Sequence, residues 1–245
     1  MNDTSFDTAM SSVAGVKGWL TTAQGRRLFE RARGSRRIAE IGSYHGRSAI
    51  LMALAAPEDA QLTAIDPHAG SDRGPREIHG SAAEGDEDFQ AFLRNVERAG
   101  VAGRIRHVRR FSHDALAEVD GQLDLLYVDG AHRYRPARDD LRDWGAKVRP
   151  GGSMLVHDAF SALGLTLAMI RLLVPGREFR YLGRSGSLAE YRREPLGGTA
   201  RLANAARQVA ELPWFARNLL VKVALVLRLR PVARLLGHRS GPWPY

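Results

Sequence analysis

The sequence predicts a doubly wound α/β fold, built on a mostly parallel, seven-stranded sheet with a C-terminal helical appendage. Five short apolar runs alternate with helical patterns, which is typical of a parallel sheet covered on both faces. Each run ends in glycine or polar residues. Two further runs can pair antiparallel across residues 183–186, and such a hairpin is common at the edge of a parallel sheet.

The elements follow from hydrophobic periodicity and from turn residues. Strand patterns lie at residues 37–41, 62–65, 105–109, 123–128 and 153–156, and the hairpin covers 179–182 and 188–192. Helical patterns lie at 23–32, 47–55, 88–99, 114–119, 136–148, 163–173 and 219–229. The polar stretch 67–84 is long enough to predict a functional or mobile loop. We divide the chain into an N-terminal segment 1–22, a main domain 23–194 and a basic amphipathic tail 195–245.

Composition excludes several classes of protein. The chain has 245 residues and no cysteine, so disulfides, thiolate metal sites and thiol nucleophiles are impossible. The net charge of +9 is concentrated in the tail, where residues 196–245 carry eight lysines and arginines against one glutamate. The basic residues are not interleaved with aromatic residues on strands, so we expect no nucleic-acid partner. The polar N-terminus lacks an apolar signal, and we expect a cytoplasmic protein.

Five of the eight histidines follow predicted strands. They are His45, His68, His113, His132 and His157. Right-handed crossovers place all strand-to-helix loops of such a sheet along one edge, and ligands bind at that edge in doubly wound folds. The histidines, together with the acids beside them, therefore predict a binding site there.

A glycine-containing turn and an acid predict a nucleoside ligand at this edge. Gly42 and Gly46 follow the first strand, where glycine lets the backbone approach a ligand closely. Asp66 ends the second strand and can accept hydrogen bonds from ribose hydroxyls. Each feature alone also fits an ordinary turn or helix cap. The glycine spacing differs from G-x-G-x-x-G, which disfavours a dinucleotide-binding dehydrogenase.

Four ordered motifs resemble class I methyltransferases, which have a Rossmann-like fold and bind S-adenosylmethionine. The motifs are E-I-G-S-x-x-G-x-S at 40–48, I-D at 65–66, Y-V-D-G-A-H at 127–132, and R-P-G-G at 149–152 with H-D at 157–158. The D-G-x-H segment is similar to the macrocin and sugar O-methyltransferase group, and the resemblance spans residues 23–192. It implies that Glu40 and Gly42 approach the methionine moiety, Asp66 the ribose, and Ser112 with His113 the adenine. The implied cofactor contacts are Glu40, Gly42, Ser43, His45, Gly46, Ser48, Asp66, His68, Ser112, His113 and Asp129.

The same resemblance implies a divalent metal, in that group Mg²⁺, held at positions that match Asp129, His157 and Asp158. His157 stands where a carboxylate is expected, and imidazole is less typical of Mg²⁺. Sites with and without metal both stay open. His132, three residues after Asp129, is the candidate general base, because imidazole titrates near neutrality and can remove the proton of an acceptor hydroxyl. We therefore take His132 and Asp129 as the catalytic residues.

The expected activity is O-methylation of a sugar or another hydroxylated small molecule, lipid-linked in one version. The alternative is a non-catalytic nucleoside-binding or membrane-docking protein of the same fold. For residues 213–236 two interpretations stay open. The apolar run can lie on a membrane with its basic residues (Arg217, Lys222, Arg228) at the headgroups, or it can pack on its own domain or on another subunit of a homo-oligomer.

Overall fold

The computed structural model describes residues 4–69 and 82–238, and its centre is a seven-stranded sheet in the order β3-β2-β1-β4-β5-β7-β6. The strands are β1 (Arg37–Ile41), β2 (Gln61–Ile65), β3 (Ile105–Val108), β4 (Leu123–Val128), β5 (Val148–Val156), β6 (Phe179–Ser185) and β7 (Leu188–Arg193). Neighbours from β3 to β5 pair in parallel, and β7 runs antiparallel to both β5 and β6. The predicted doubly wound fold is confirmed, including the closing hairpin.

Helices cover both faces of the sheet. They are α1 (Phe6–Ser12), α2 (Thr22–Ala32), α3 (Arg47–Ala55), α4 (Ala82–Arg98), α5 (Tyr134–Asp143), α6 (Leu163–Leu172), α7 (Gly198–Val209), α8 (Leu212–Val226) and α9 (Arg230–Leu235). Side chains alternate along each strand, so Leu125 joins the core under α1 to α4, whereas Leu126 joins the core under α5 and α6. The sheet is thus buried on both faces, as a parallel sheet requires.

Most predicted elements lie within a few residues of those observed, but several differ. The helix predicted over 114–119 is a short 3-10 turn at Leu116–Glu118, and the helix predicted over 219–229 is α8, which begins at Leu212. Helix α1 lies in the N-terminal segment, where Phe6 and Ala9 are buried in the core. Helix α4 begins at Ala82 rather than at residue 88, and residues 70–81 of the predicted loop lie outside the described residues. The helix predicted over 136–148 ends at Asp143. Strand β5 begins at Val148 rather than at residue 153, and its pairing with β4 is irregular, so the turn at Pro150 lies inside the strand.

Helix α7 is joined to the sheet by two amide side chains. The Asn204 side chain accepts a hydrogen bond from the backbone N–H of Tyr181 (2.7 Å) and donates one to the carbonyl oxygen of Phe179 (3.0 Å). These two groups lie on the outer edge of β6, the side opposite β7. No strand of the described residues pairs with that edge. Gln208 is also buried, and its amide oxygen accepts from the Tyr191 hydroxyl (3.1 Å). The first part of the tail is therefore an integral part of the domain.

Candidate active site

The loops after β1 and β4 touch at the carboxyl edge of the sheet. The Gly42 N–H donates to the carbonyl oxygen of Ile65 (2.8 Å), and the Asp129 N–H donates to that of Ile41 (2.9 Å). Gly42 has a φ of +87°, and a Cβ built there would lie 2.2 Å from the Asp129 carbonyl oxygen. Only glycine fits this contact, so the turn is fixed by the packing of two loops as well as by its conformation.

Glu40, next to the carboxyl end of β1, is completely buried, and the hydroxyl of Ser48 donates a hydrogen bond to its Oε1. Its Oε2 has no hydrogen-bond partner among the described residues. Burial raises the pKa of Glu40 to about 8; the bond from Ser48 opposes this rise, and the charges of Asp129 and Asp66 add to it. An unpartnered carboxyl oxygen with a raised pKa is suited to receiving a cationic group.

Asp66 organises the loops around the glycine turn. One carboxylate oxygen accepts from the Tyr44 N–H (2.8 Å), and the other accepts from the His68 N–H (2.8 Å). Tyr44 and His68 both have left-handed φ angles, +44° and +45°, which are strained for residues other than glycine. Asp66 is half-buried, and each oxygen retains a lone pair that can accept a ribose hydroxyl.

Two of the predicted cofactor-binding histidines contact protein groups at α4 and β3. His45 Nε2 lies 2.7 Å from Asp88 Oδ1, and His68 Nε2 lies 3.0 Å from His107 Nε2. Burial lowers the pKa of His68, and it lowers that of His107 to about 4, with the neighbouring His68 as the next cause. A neutral pair can share one proton between the two rings. The structure thus places these histidines where they hold neighbouring elements together.

The other predicted adenine-side residues lie on the loop after β3. His113 is exposed, and its ring stacks on that of Phe111 at 5.8 Å. The Ser112 carbonyl oxygen accepts from Trp144 Nε1 (3.2 Å), and the Ser112 side chain hydrogen-bonds to buried Asp140. Burial raises the pKa of Asp140 to about 6, which this hydrogen bond partly opposes. The Ser112 side chain is therefore committed to α5, and the exposed rings of Phe111 and His113 remain at the surface.

A cluster of two carboxylates and two imidazoles forms where β4 and β5 end. His132 Nε2 lies 3.1 Å from Asp158 Oδ2, and His157 Nδ1 lies 3.3 Å from Asp129 Oδ1. Donor atoms of Asp129, His132 and Asp158 all lie within 4.8 Å of one another. The structure thus brings together all four residues predicted as catalytic or as metal ligands. It supplies His132 as the imidazole of the compact three-residue group, whereas the resemblance implied His157.

The backbone that carries this cluster is tightly constrained. Asp158 and Phe160 have left-handed φ angles of +55° and +54°, and such strain persists only where packing enforces it. Gly164 of α6 packs against the loop of His132, because a Cβ there would lie 2.4 Å from the His132 carbonyl oxygen. The Ser187 hydroxyl lies 3.4 Å from Asp158 Oδ1 and also accepts from Gln24 Nε2 (3.1 Å). Elements far apart in sequence therefore fix Asp158.

The C-terminal helix α8 supplies two further contacts to the loop after Asp158. The buried Asn218 side chain donates to the carbonyl oxygen of Phe160 (3.3 Å), and Lys222 Nζ donates to that of Ser161 (2.9 Å). Burial lowers the pKa of Lys222, and the nearby charge of Asp158 opposes this. The expectation that Lys222 lies at membrane headgroups is therefore wrong. Its side chain points to the carbonyl group because an ammonium in a half-buried position needs an acceptor.

A small cavity beside the glycine turn is lined partly by the N-terminal segment. Lys17 and Trp19 lie opposite Tyr44 and Asp129, and the rings of Trp19 and Tyr44 stack at 5.9 Å. The sequence analysis did not predict this role for Lys17 and Trp19. In the sequence, Trp19 is an aromatic residue next to Gly18 in a segment without a strand pattern. Such a residue is not recognisable as a binding residue from sequence.

Residues 39–159, just under half of the chain, match the family model described as a methyltransferase domain. Solved structures share the fold over most of the chain. A methyltransferase from Podospora anserina, crystallised with SAH, has a TM-score of 0.57 and 16% identity, covering 77% of this chain and 87% of its own. The O-methyltransferase TomG from Streptomyces achromogenes, in complex with SAM, has a TM-score of 0.51 and 19% identity, covering 80% and 92%. The fold is that of the class I methyltransferases.

Two curated relatives match about half of this chain. An uncharacterized protein of Sinorhizobium fredii is 28% identical over 127 residues, which are 50% of this chain and 13% of that protein. An uncharacterized protein of Acanthamoeba polyphaga mimivirus is 26% identical over 125 residues, which are 49% of each. The aligned region thus spans about an eighth of one relative and about half of the other.

Proposed function

We propose that this chain is an S-adenosylmethionine-dependent O-methyltransferase that acts on a hydroxylated small molecule, for which a sugar is our first candidate. The observation that carries the proposal is the pair His132–Asp158, which lies at the same sheet edge as Glu40, Gly42 and Asp66. The matched methyltransferase domain ends within this cluster, at residue 159. Structural relatives that were crystallised with SAM or SAH support the choice of cofactor.

The residues around the glycine turn fit the cofactor chemically. Glu40 Oε2 is buried without a hydrogen-bond partner in the described part of the chain and can accept from the ammonium of the methionine moiety. The backbone at Gly42 leaves room for close approach, and the Asp66 carboxylate can accept from the ribose hydroxyls. The cofactor supplies a methyl group on a sulfonium sulfur, which is a good leaving group. The chain itself would bind the cofactor and the acceptor, orient them towards each other and exclude water.

His132 removes the acceptor proton in this proposal. As the methyl carbon bonds to the acceptor oxygen, its bond to sulfur breaks, and the hydroxyl proton passes to the imidazole. Asp158, 3.1 Å from Nε2, stabilises the imidazolium that forms, so Nδ1 is the nitrogen that takes the proton. Turnover yields the methyl ether, S-adenosylhomocysteine and a proton, which His132 then releases to solvent.

A divalent cation is the second use of the same cluster. His132 Nε2 is buried, and among the described residues no group lies in hydrogen-bonding geometry to it. Carboxylate oxygens of Asp129 and Asp158 lie within 4.8 Å of it. This donor set fits a cation that accepts mixed oxygen and nitrogen ligands, such as Mn²⁺. A cation bound there would lower the pKa of an acceptor hydroxyl. Equilibrium dialysis of the wild-type protein, His132→Ala and Asp158→Asn against Mn²⁺ separates the two uses. Binding that requires both side chains would make His132 a ligand and not the base.

Cofactor binding is tested by calorimetry with S-adenosylhomocysteine. Asp66→Ala should weaken binding at least roughly tenfold, because two charge-assisted hydrogen bonds to the ribose are lost. The matched control is Asp59→Ala, since Asp59 is an exposed acid that pairs with Arg36 (3.0 Å) and precedes β2, at the edge of the sheet opposite the site. Equal affinities for the wild-type protein and a folded Asp66→Ala variant would contradict the ribose role.

Methyl transfer is tested with labelled S-adenosylmethionine and a panel of sugars and glycosides. His132→Ala should lower turnover by roughly a hundredfold or more while leaving S-adenosylhomocysteine affinity unchanged. Asp59→Ala is again the control, because Asp59 is exposed and lies at the opposite edge of the sheet. Binding of the cofactor without transfer to any acceptor would favour the non-catalytic nucleoside-binding alternative. Full turnover by His132→Ala, with chemistry rate-limiting, would exclude the base role.

A further inference from the structure

Helix α8 has an apolar face that points away from the domain. The residues Leu220, Val223, Val226 and Leu227 share one side of the helix by their spacing, and all are exposed. The opposite side carries Asn218, Val221, Lys222 and Ala224, which contact the loop after β5 or the packed helix α9. The helix therefore buries two polar side chains, Asn218 and Lys222, together with Val221 and Ala224, while a second apolar face points outward, unlike that of an ordinary surface helix.

Exposed apolar side chains continue beyond α8. Leu229, Val232 and Leu235 are exposed as well. We call these three residues and the four exposed apolar residues of α8 the α8–α9 surface. Within the described residues, seven of the fifteen exposed large hydrophobic side chains belong to this short segment. Val226 is 79% exposed and Leu235 is 87% exposed. Isolated exposed leucines are normal in proteins, but a concentration of this kind marks an interaction surface.

The charge of the segment selects the partner. Arg228, Arg230 and Arg234 are exposed among the apolar residues, and residues 212–238 contain no aspartate or glutamate. In a two-fold contact between copies of the chain, these arginines would face one another without a neutralising acid. An anionic lipid surface offers both an apolar layer and negative headgroups at the required depth. In the described part of the chain no helix is long and apolar enough to cross a bilayer.

We propose that the α8–α9 surface binds the anionic face of a lipid bilayer, with Val226 and Leu235 inserted and Arg228, Arg230 and Arg234 at the headgroups. The inner side of α8 stays on the domain through Asn218 and Lys222. The docked helix thereby brings the loop of Asp158 close to the lipid surface. This inference does not depend on the methyl-transfer chemistry, since it rests on exposure and charge alone.

Cosedimentation of the full chain with equimolar phosphatidylcholine and phosphatidylglycerol vesicles tests the proposal. The wild-type protein should pellet at low salt, and added NaCl should weaken binding without abolishing it, because the apolar contribution is not screened. Val226→Ser combined with Leu235→Ser should lower the partition coefficient roughly tenfold or more. Leu202→Ser is the matched control, because Leu202 is 71% exposed on α7, outside the surface.

Two results would overturn the proposal. One is wild-type protein that stays in solution with these vesicles at low salt. The other is an equal loss of binding in Leu202→Ser. If the wild-type chain instead forms a dimer that Val226→Ser with Leu235→Ser dissociates, and does not pellet, the surface binds a second copy. Arg230→Gln with Arg234→Gln provides a second variant that leaves the apolar side chains in place. Its affinity should fall only for anionic vesicles.

Discussion

Lys222 Nζ donates a 2.9 Å hydrogen bond to the backbone carbonyl oxygen of Ser161, and this bond links α8 to the loop that carries Asp158. The two residues are separated by about a quarter of the chain, so the contact exists only when α8 is docked. Burial lowers the pKa of Lys222, since a half-buried ammonium has lost part of its water. The hydrogen bond joins α8 to a loop in which Asp158 and Phe160 both have left-handed φ angles.

Lys222→Met should therefore increase the mobility of the loop. We expect faster amide hydrogen exchange in residues 157–162, because the Ser161 carbonyl loses its donor and α8 loses a contact to the loop. Lys147→Met is a matched control, since Lys147 Nζ donates a comparable 2.7 Å bond to the Val119 carbonyl oxygen. Exchange mass spectrometry should show the change at 157–162 only for Lys222→Met. Equal exchange in both variants would mean that Lys222 does not hold the loop.

The stability of the ligand-free protein should depend on pH through Glu40. Its pKa is about 8 in the folded chain and near 4.5 when unfolded, so the unfolded state ionises first as pH rises. The contribution of Glu40 to stability is fully present below pH 4.5 and is lost progressively as the pH rises to 8. Glu40→Gln removes this dependence, and at pH 8 it should be more stable than the wild-type protein by about 3–5 kcal/mol.

Urea unfolding at several pH values measures the Glu40 effect. The difference between Glu40→Gln and wild type should be small near pH 4 and should grow towards pH 8. Glu58→Gln, at an exposed position, should follow the wild-type curve. Parallel curves for Glu40→Gln and wild type would show that this carboxyl does not ionise differently on folding.

Two glycines that begin helices should respond in opposite ways to alanine. At Gly164 a Cβ would lie 2.4 Å from the His132 carbonyl oxygen and 2.7 Å from the Tyr134 nitrogen, so Gly164→Ala must displace backbone and should cost about 1–3 kcal/mol. Gly198 has no atom within 4 Å of the corresponding position, and Gly198→Ala should stabilise by about 0.5–1 kcal/mol. Thermal unfolding of both variants decides this. Stabilisation of both would mean that the loop of His132 adapts without strain.

Substitutions at Arg228 should change the stability of the protein and its binding to lipid independently. It ends α8 with a φ of +59°, a conformation that glycine adopts without cost. Arg228→Gly should stabilise the protein by about 0.5–1 kcal/mol and weaken binding to anionic vesicles several-fold through the lost charge. Arg228→Gln should weaken vesicle binding equally without the gain in stability. Unchanged vesicle binding in both variants would place Arg228 away from the lipid.

The sequence predicted the fold well because the signals were local. The β4 run 123–128 and the helix 47–55 were predicted with the observed bounds, since the run is apolar except for Asp124 and the helix directly follows Gly46. The residues Asp129, His132, His157 and Asp158 were also predicted to converge, because every parallel strand ends at the same edge. Their convergence in the structure agrees with that prediction, and their roles remain proposals.

Pairings between distant side chains could not be predicted. His45 and His68 were assigned to the cofactor, yet Asp88 and His107 are their hydrogen-bond partners, and nothing local in the sequence shows that α4 lies over these loops. One of the two open interpretations placed Lys222 at a lipid surface, because a helical wheel gives the faces of a helix without giving its orientation. Helix α1 was missed because its seven residues place only Phe6 and Ala9 in the core.

The hydrogen bonds of the Asn204 side chain also affect how the chain folds during its synthesis. This side chain bonds to two backbone groups on the outer edge of β6, the Tyr181 N–H and the Phe179 carbonyl, which would otherwise remain open to a strand from another chain. During synthesis β6 leaves the ribosome before α7, so a nascent chain exposes this edge for the time needed to translate about twenty further residues, on the order of seconds. Crowded polysomes are where neighbouring chains would meet at that edge, and slow translation after β7 would lengthen the exposure.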